Sequence, residues 1–355
     1  MKFIHCADIH LDSKINELSV EKRKRRREEI LSTFEKLCVY AKTQNVTAVI
    51  IAGDMFDNEK ITSKTLARVF GAIKNSSPVD FLYLPGNHES NGFLSYEENF
   101  PENLKYFKDE WTCYQYGDVS VNGIVISELN SKVVYDTLKL EESITNIVTM
   151  HGAVAGYKTT DEAEMISIPL LKDKNIDYLA LGHYHSYSSG DIDLRGKYAY
   201  SGCLDGRGFD ELGDKGFVLV EVENGKLSFE FNPFSSRTLH EARFTVDDED
   251  FFSLREKVVQ TLSSELSSDS LVKVVLTGER SPDIDIDAEA LNYKLNDIFF
   301  YAKVDDKTSL KVSIEDYKDD KSVRGEFVRL VLSSNLAKEQ KDAILLKGLS
   351  ALKGE

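Results

Sequence analysis

The chain has 355 residues, 41% of them hydrophobic and 29% charged, as in a folded protein of one large or two ordinary domains. Its net charge of −16 argues against a nucleic-acid-binding protein that works without a local basic patch, a metal ion or a partner. No apolar run approaches the roughly 20 residues of a membrane-spanning helix. The first residues do not resemble a signal peptide, and the four cysteines form no CxxC pair. We therefore expect a cytoplasmic protein without membrane contact.

The first two predicted strands are each followed by polar side chains. Residues Lys2–Ala7 are predicted to form a short strand that leads into Asp8 and His10, which point to the same side of an extended backbone. The unbroken apolar run Ala48–Ala52 is typical of a strand buried on both faces of a parallel sheet. Asp54 follows this strand. It could cap the next turn, or it could bind a ligand at the carboxyl edge of the sheet.

Two helices are predicted beside these strands, over Val20–Gln44 and Ser63–Lys74, from apolar residues at helical spacing. The first helix opens with six basic residues, Lys22–Arg27, the densest basic run in an acidic chain. This run could be a solvated helix face, or it could contact a phosphate backbone near the site. The sequence leaves both readings open.

Three further predicted strands end in the same way, with a polar group able to bind metal or phosphate. These are Val79–Leu84 before Asn87 and His88, Ile147–Met150 before His151, and Ile176–Leu181 before His183 and His185. The carboxyl ends of parallel strands meet at one edge of a sheet, so we expect all of these side chains to converge.

The remaining strands of this region are predicted to form hairpins. Asn122-Gly123 predicts a turn between strands Val119–Val121 and Ile124–Ser127, and Asn224-Gly225 predicts a second hairpin. A βαβαβ start followed by hairpins indicates an α/β fold with two sheets packed face to face and helices outside. We therefore predict a four-layer α/β/β/α sandwich.

The pattern changes after a polar stretch near residues 233–240, and this sets the predicted domain boundaries. Residues 1–237 form the sandwich, and residues 238–322 form a smaller α+β capping domain. Residues 323–355 carry two amphipathic helices, which pack on the cap or bind a partner.

The converging residues suit two metal ions. Five of the seven histidines lie in this set, together with two carboxylates and one carboxamide, which is more than one ion needs. Two divalent ions about 3.5–4 Å apart can clamp a phosphate and generate a hydroxide at neutral pH. Oxygen and nitrogen ligands without thiolate favour Mn²⁺, Fe²⁺ or Zn²⁺.

Taken together, the motifs D-x-H, G-D, G-N-H, H and G-H-x-H resemble those of the calcineurin-like metallophosphoesterases. Within that family the chain resembles the DNA-repair nuclease branch, the SbcD/Mre11 proteins, and most of all bacterial relatives of the YhaO type. The segments that carry this resemblance are ADIHLDS (7–13), AGDMFD (52–57), PGNHES (85–90), MHGAVAG (150–156), LALGHYHSY (179–187) and YSGCLDGRGFDELGDKGFVLVEV (200–222).

The resemblance implies a definite set of site residues. The first ion would be held by Asp8, His10, Asp54 and His185, and the second by Asp54, Asn87, His151 and His183. His88 would be catalytic, facing the scissile phosphate and helping to protonate the leaving oxygen. The family implies Mn²⁺, with Fe²⁺, Zn²⁺ or Mg²⁺ as alternatives. It also implies a DNA substrate and a Rad50/SbcC-like coiled-coil ATPase as partner, and a homodimer stays open.

The chain departs from the family pattern at two positions. Asp57 stands where archaeal and eukaryotic nucleases carry a second histidine, and Glu89 stands where Asp is usual. Asp57 therefore puts in doubt a mechanism with two catalytic histidines. Asp12 is interpreted as a hydrogen-bond acceptor rather than as a ligand.

Three functional hypotheses follow. The first is a Mn²⁺-dependent DNA exonuclease and endonuclease that acts in DNA repair through a hydroxide activated by two metals. The second is a metallophosphodiesterase for nucleotides or cyclic nucleotides, which the acidic charge favours. The third is a nuclease-like subunit that is active only with its ATPase partner.

Overall fold

The computed structural model describes residues 1–57, 61–86, 92–154, 165–246, 250–281 and 284–353. It divides into two units, Met1–Thr238 and Leu239–Glu355. Within the described ranges, none of the helices has the length and apolar character required to cross a bilayer.

The first unit alternates strands and helices through its first half and is rich in strands afterwards. In chain order its elements are β1 (Lys2–Cys6), α1 (Val20–Thr43), β2 (Ala48–Ala52), α2 (Ser63–Asn75), β3 (Asp80–Leu84), β4 (Leu104–Tyr106), β5 (Thr112–Tyr116), β6 (Val119–Gly123), α3 (Val134–Thr137), β7 (Thr145–His151), β8 (Ala153–Val154), β9 (Met165–Ile166), α4 (Ile168–Leu171), β10 (Tyr178–Gly182), β11 (Ser188–Asp191), β12 (Lys197–Tyr200), β13 (Gly216–Glu223) and β14 (Lys226–Pro233).

Two six-stranded sheets form the centre of this unit. The first has the order β14-β13-β1-β2-β3-β4, and its strands β1 to β4 are parallel. The second has the order β11-β12-β10-β7-β6-β5, with β6, β7, β10 and β12 parallel. The carboxyl ends of β1 and β2, and those of β7 and β10, therefore lie side by side.

The two sheets pack face to face, and helices cover their outer faces. Phe3, Ile50 and Leu82 of the first sheet share one buried cluster with Ile147 and Tyr178 of the second. A second cluster joins the outer face of the second sheet to α3 and α4. On α1 the apolar residues at helical spacing are buried. The predicted four-layer α/β/β/α sandwich is confirmed.

The predicted hairpin at Asn122-Gly123 is wrong. Strand β6 includes both residues and ends at Gly123. It pairs with β7, and Gly123 lies opposite Thr149. Asn122 is buried and donates its amide to Ser120, so its side chain is satisfied within the sheet rather than in a turn. The hairpin partner of β6 is instead β5, which precedes it. The hairpin at Asn224-Gly225 is confirmed, since it joins β13 to β14.

The basic run Lys22–Arg27 at the start of α1 is not exposed to solvent throughout. Arg26 is fully buried: its guanidinium pairs with Asp205 and donates to the Gly206 carbonyl and to the Ser236 hydroxyl at 2.7 Å. Arg27 donates to the Ser13 carbonyl. A helix that buries one of its basic residues against a loop is held to that loop, so Arg26 fixes the segment around residue 205.

The second unit is built around a parallel three-stranded sheet. Its elements are β15 (Leu239–Thr245), α5 (Phe251–Glu265), β16 (Leu271–Thr277), β17 (Glu279–Arg280), α6 (Ala288–Ile298), β18 (Tyr301–Asp306), β19 (Ser309–Leu310), α7 (Val323–Ser333) and α8 (Lys338–Lys353). Helices α5 and α6 connect the parallel strands β15, β16 and β18 and share a buried cluster with them. The two terminal helices bury a separate cluster that includes Val328, Leu345 and Leu349.

Candidate metal centre

The loops that follow β1 and β2 are hydrogen-bonded to each other, and this brings the first predicted ligands together. The backbone N–H of Asp8 donates to the Gly53 carbonyl, and that of His10 donates to the Asp54 carbonyl, both at 3.0 Å. The two loops thus continue the parallel pairing of their strands past the sheet edge. Asp8, His10 and Asp54 are all buried at this edge.

These three residues share an unusual backbone conformation. Asp8, His10 and Asp54 have φ angles of 49°, 50° and 51°, in the left-handed region. That conformation costs an L-residue roughly 1–2 kcal/mol, and it clusters at functional sites where the surrounding structure enforces it. Here the paired loops enforce it, and the three side chains are directed to a common point.

The first part of the centre, called here the His10–His185 half, consists of Asp8, His10 and His185. The Nε2 atoms of the two histidines lie 3.2 Å apart. The donor atoms of all three residues lie within 4.8 Å of one another, which suits ligation of one divalent ion by oxygen and nitrogen.

The second part, called here the His151 half, consists of Asp54 and His151, with Asp8 again within 4.8 Å. His151 Nε2 lies 3.5 Å from Asp54 Oδ2, and its Nδ1 donates to the Ala52 carbonyl at 2.9 Å. Burial lowers the pKa of His151, but the carboxylates of Asp54 and Asp8 outweigh burial and raise it to about 9. Asp54 Oδ2 also lies 4.0 Å from His10 Nε2, between the two halves.

His183 lies beside both halves. Its backbone N–H donates to both carboxylate oxygens of Asp8 at 3.0 Å, and its ring stands perpendicular to that of His151 with centroids 5.4 Å apart. Within the described chain it is not a member of the two close donor groups. Its assignment to the second ion stays a prediction.

Asn87 and His88 lie outside the described residues. The chain leading to them runs against the centre, since a Cβ added to Gly86 would lie 2.1 Å from Asp54 Oδ1. Gly86 therefore lies in contact with the proposed shared carboxylate. Their roles as second-ion ligand and catalytic acid stay predictions.

Gly182 allows the two sheets to meet at the site. A Cβ at this position would lie 1.8 Å from the Ala52 carbonyl oxygen and 2.8 Å from His151 Nδ1. The backbone at the end of β10 thus passes directly over the end of β2, and only glycine leaves room.

Three residues behind the His10–His185 half had no role assigned from the sequence. Asp57 Oδ1 lies 3.3 Å from His10 Nδ1, and Glu211 Oε1 lies 2.8 Å from His185 Nδ1. Arg207 contacts both carboxylates. Glu211 and Arg207 lie in the last of the family-like segments, and their i, i+4 spacing was the one signal that could have linked them.

The pKa of each of these carboxylates is lowered in this setting. Burial raises the pKa of Asp57, but hydrogen bonds from His10 and Ser13 outweigh it and lower the pKa. Burial likewise raises the pKa of Glu211, but His185 and Arg207 outweigh it and hold the pKa far below its usual value.

Two other polar residues near the strand ends have structural partners. Asp12 accepts hydrogen bonds from the Thr62 N–H and the Thr65 hydroxyl, so it is bound to the start of α2, whose N-cap is Thr62. His5 is fully buried between the sheets, where its ring contacts the Tyr178 hydroxyl and the Leu181 carbonyl.

Comparison with known proteins gives a consistent result. A family model described as calcineurin-like phosphoesterase matches residues 1–187, which include every predicted site residue. The chain is 27% identical over 248 residues to an uncharacterized metallophosphoesterase, YhaO, of Bacillus subtilis, covering 65% of this chain and 60% of that protein. It is 26% identical over 266 residues to the DNA double-strand break repair protein Mre11 of Methanopyrus kandleri, covering 65% and 56%.

A third relative is named for an activity on cyclic nucleotides. Over 172 residues the chain is 25% identical to a probable cyclic nucleotide phosphodiesterase of Fibrobacter succinogenes, covering 44% of this chain and 64% of that protein. The chain spans less than two thirds of the length of each of these three curated relatives.

Proposed function

Because the chain belongs to the calcineurin-like phosphoesterase family, we propose that it is a two-metal phosphodiesterase whose substrate is DNA. The observation that carries this proposal is that two groups of metal-binding geometry form where the carboxyl edges of the two sheets meet. Their members are Asp8, His10, Asp54, His151 and His185. A donor set of carboxylate oxygens and imidazole nitrogens fits Mn²⁺, Fe²⁺ or Zn²⁺. We propose Mn²⁺ as the working metal.

The proposed ligands divide between two ions. The first is held by Asp8, His10, Asp54 and His185. The second is held by Asp54, Asn87, His151 and His183. The bound ions would clamp the phosphate and activate the attacking water.

The chain's own groups supply the rest of the reaction. His88 faces the scissile phosphate, stabilises the charge that develops on it and donates a proton to the leaving oxygen. Asp8 also accepts two bonds from the His183 backbone, which holds its carboxylate in place as a ligand. The left-handed backbone at Asp8, His10 and Asp54 fixes the ligand directions before any ion binds.

DNA is proposed as the substrate because several relatives are named DNA double-strand break repair protein Mre11. The net charge of −16 provides no general attraction to DNA, so metal ions or a partner must supply it. We propose exonuclease and endonuclease activity in DNA repair on this basis.

The substrate test uses one protein and several substrates. With Mn²⁺ present, the full chain should cleave linear duplex DNA and circular single-stranded DNA well above background. Hydrolysis of bis-p-nitrophenyl phosphate, measured in the same buffer, reports the metal centre independently of DNA. A DNA rate equal to background beside an active centre would contradict the proposed substrate.

Matched histidine variants test the proposed acid. His88→Ala should retain both ions, measured as bound Mn²⁺ per chain, and lose most of its turnover, about 100-fold or more. His240→Ala, which changes a histidine in β15 of the second unit, should retain full turnover. A His88→Ala variant that cleaves at the normal rate would show that His88 has no catalytic role.

A small-substrate phosphodiesterase is the second candidate function. The acidic charge favours it, and so does the relative from Fibrobacter succinogenes with a cyclic nucleotide phosphodiesterase name. In the same assay it predicts fast hydrolysis of 2′,3′-cyclic nucleotides with no cleavage of DNA.

The terminal helices are proposed to bind a coiled-coil ATPase of the Rad50/SbcC type. Their inner residues form a buried cluster, but Leu330 remains 67% exposed and Val323 73% exposed. Leu330→Asp should abolish co-purification with the ATPase and leave bis-p-nitrophenyl phosphate hydrolysis unchanged. Val328→Asp, in the buried cluster of the same helix, should instead lower the thermal stability of the second unit. A Leu330→Asp variant that still binds the ATPase would remove this helix from the interface.

A further inference from the structure

Resting on the proposed two-metal function, we propose that Asp57, Glu211 and Arg207 form an outer shell that positions His10 and His185, and that this shell makes the His10–His185 half the tighter of the two metal sites. We call these three residues the outer shell. They deepen the proposed function, since they concern how one of its two ions is held.

The orientation of His185 follows from Glu211. Glu211 is only 1% exposed, and its Oε1 lies 2.8 Å from His185 Nδ1. Glu211 also accepts hydrogen bonds from the backbone N–H and the guanidinium of Arg207, so it faces the ring as an acceptor. Arg207 Nη2 lies farther from His185 Nδ1, at 3.4 Å, so Nδ1 is placed to donate to Glu211. The lone pair of the neutral ring is therefore on Nε2, the atom that lies 3.2 Å from His10 Nε2.

His10 faces a different carboxylate at a longer distance. Its Nδ1 lies 3.3 Å from Asp57 Oδ1, on the opposite side of the ring from His185. The two rings thus present Nε2 to the same point and have a carboxylate behind each. Carboxylate–histidine–metal triads of this kind fix the tautomer of the ring and raise the basicity of the ligand nitrogen.

Arg207 supplies the cation for both carboxylates, of which Glu211 is buried and Asp57 is partly exposed. Its Nη2 donates to Glu211 Oε1 at 2.6 Å, and its backbone N–H donates to Glu211 Oε2 at 2.6 Å. Its Nη1 lies 3.6 Å from Asp57 Oδ1. A buried carboxylate without a cation would be costly, and Arg207 offsets that cost at Glu211 while its other nitrogen lies beside Asp57.

In the His151 half, by contrast, His151 faces a backbone carbonyl on the side of the ring away from the centre. The Nδ1 of His151 donates to the Ala52 backbone carbonyl, which orients the ring but carries no full charge. A carbonyl dipole adds less to the basicity of the ligand nitrogen than a carboxylate in the same place does. The two halves therefore differ in affinity, and the His10–His185 half should fill first.

The experiment is a Mn²⁺ titration of the metal-depleted full chain by calorimetry, with bound ions per chain counted independently. Wild type should bind two ions with different affinities. Glu211→Gln and Asp57→Asn should each weaken the tighter site about 10- to 100-fold and leave the weaker site within about twofold. Asp210→Asn, an exposed carboxylate in the same segment as Glu211, is the matched control and should change neither site.

A purely structural role for these groups predicts a different result. It would lower the melting temperature of the metal-free chain and weaken both sites together, and that outcome would overturn the proposal. So would a Glu211→Gln titration identical to wild type. Failure of the proposed function is distinguishable, since it would appear as wild-type protein that binds no Mn²⁺, or that binds two ions and hydrolyses no phosphodiester.

Discussion

The two halves of the candidate centre use the same kind of ligand but hold it by different means. In the His10–His185 half each imidazole is backed by a carboxylate that comes from a loop, Asp57 after β2 and Glu211 before β13. In the His151 half the imidazole is backed by the Ala52 carbonyl, which belongs to a central strand. The first half therefore depends on ion pairs between loops, and the second depends on the packing of the two sheets.

The largest effect is expected at Asp54, which belongs to both halves. Its Oδ2 lies 3.5 Å from His151 Nε2 and 4.0 Å from His10 Nε2. Asp54→Asn should lose both ions and reduce phosphodiester turnover roughly a thousandfold, since the metals supply several kcal/mol of stabilisation to the transition state. His151→Ala should weaken the binding of mainly one ion. Bound Mn²⁺ per chain distinguishes the two, and one tightly held ion in Asp54→Asn would assign Asp54 to a single half.

Arg26 tests how far the first half depends on loop anchoring. Its buried ion pair with Asp205 holds the segment that runs into Arg207. Arg26→Met leaves Asp205 buried without its cation and should lower the free energy of unfolding by about 3–5 kcal/mol. Urea unfolding provides the measurement.

The neighbouring Arg25 is the matched control for this change. Its side chain is 63% exposed and paired with Glu29, so Arg25→Met should cost no more than about 1 kcal/mol. Equal losses from the two variants would show that the buried pair is not what stabilises this loop.

The His151 half was easier to predict from sequence than the outer shell of the other half. His151 directly ends an apolar strand, and the same pattern marks Asp8, Asp54 and His183. The rule that parallel strands end at one edge predicts that Asp8 meets Asp54 and that His151 meets His183, and the packing of the two sheets then brings the two pairs together. The sandwich fold followed from the same strands, because buried parallel strands carry apolar runs with a distinct pattern.

The outer shell and the basic run could not be predicted in this way. Asp57 and His10, like Glu211 and His185, belong to loops that meet only in three dimensions, and no local spacing links them. Arg26 belongs to a run of basic residues whose local pattern indicates an exposed helix face. In the fold it is buried and paired with Asp205. The Asn122-Gly123 error has the same origin, since turn propensity was overridden by the pairing of β6 with β7.

Gly182 tests the dependence of the His151 half on sheet packing. A Cβ there would meet the Ala52 carbonyl oxygen at 1.8 Å, a backbone atom that cannot rotate away. Gly182→Ala should cost about 3 kcal/mol of unfolding free energy and displace the carbonyl that orients His151. Mn²⁺ titration should show the weaker site impaired and the tighter site retained.

The control for this substitution is Gly71→Ala. Gly71 lies in α2 with open space around the added methyl group, so the change should stabilise the protein by about 0.5–1 kcal/mol. A Gly182→Ala variant as stable as wild type, with both sites intact, would show that the two sheets can separate at this edge without consequence for His151.

The smallest effect concerns His5, a histidine with neutral partners and no carboxylate. Burial lowers its pKa to about 3, against 6.5 for an ordinary histidine, and its bond to the Leu181 carbonyl only partly opposes this. Between these values the unfolded chain binds a proton that the folded chain does not, so stability is full above about pH 6.5 and falls as the pH decreases. At pH 5 the loss should be about 2 kcal/mol, from 1.36 kcal/mol per pKa unit.

His5→Gln removes this titration and isolates it from the other histidines. In urea unfolding with EDTA, the wild type should lose about 2 kcal/mol more than the variant between pH 7.5 and pH 5. His151 shifts in the opposite direction because Asp54 and Asp8 favour its protonated form. Equal pH dependence of the stability of wild type and variant would mean that a charged His5 ring is accommodated by its partners, the Tyr178 hydroxyl and the Leu181 carbonyl. Burial between the two sheets opposes a charged ring.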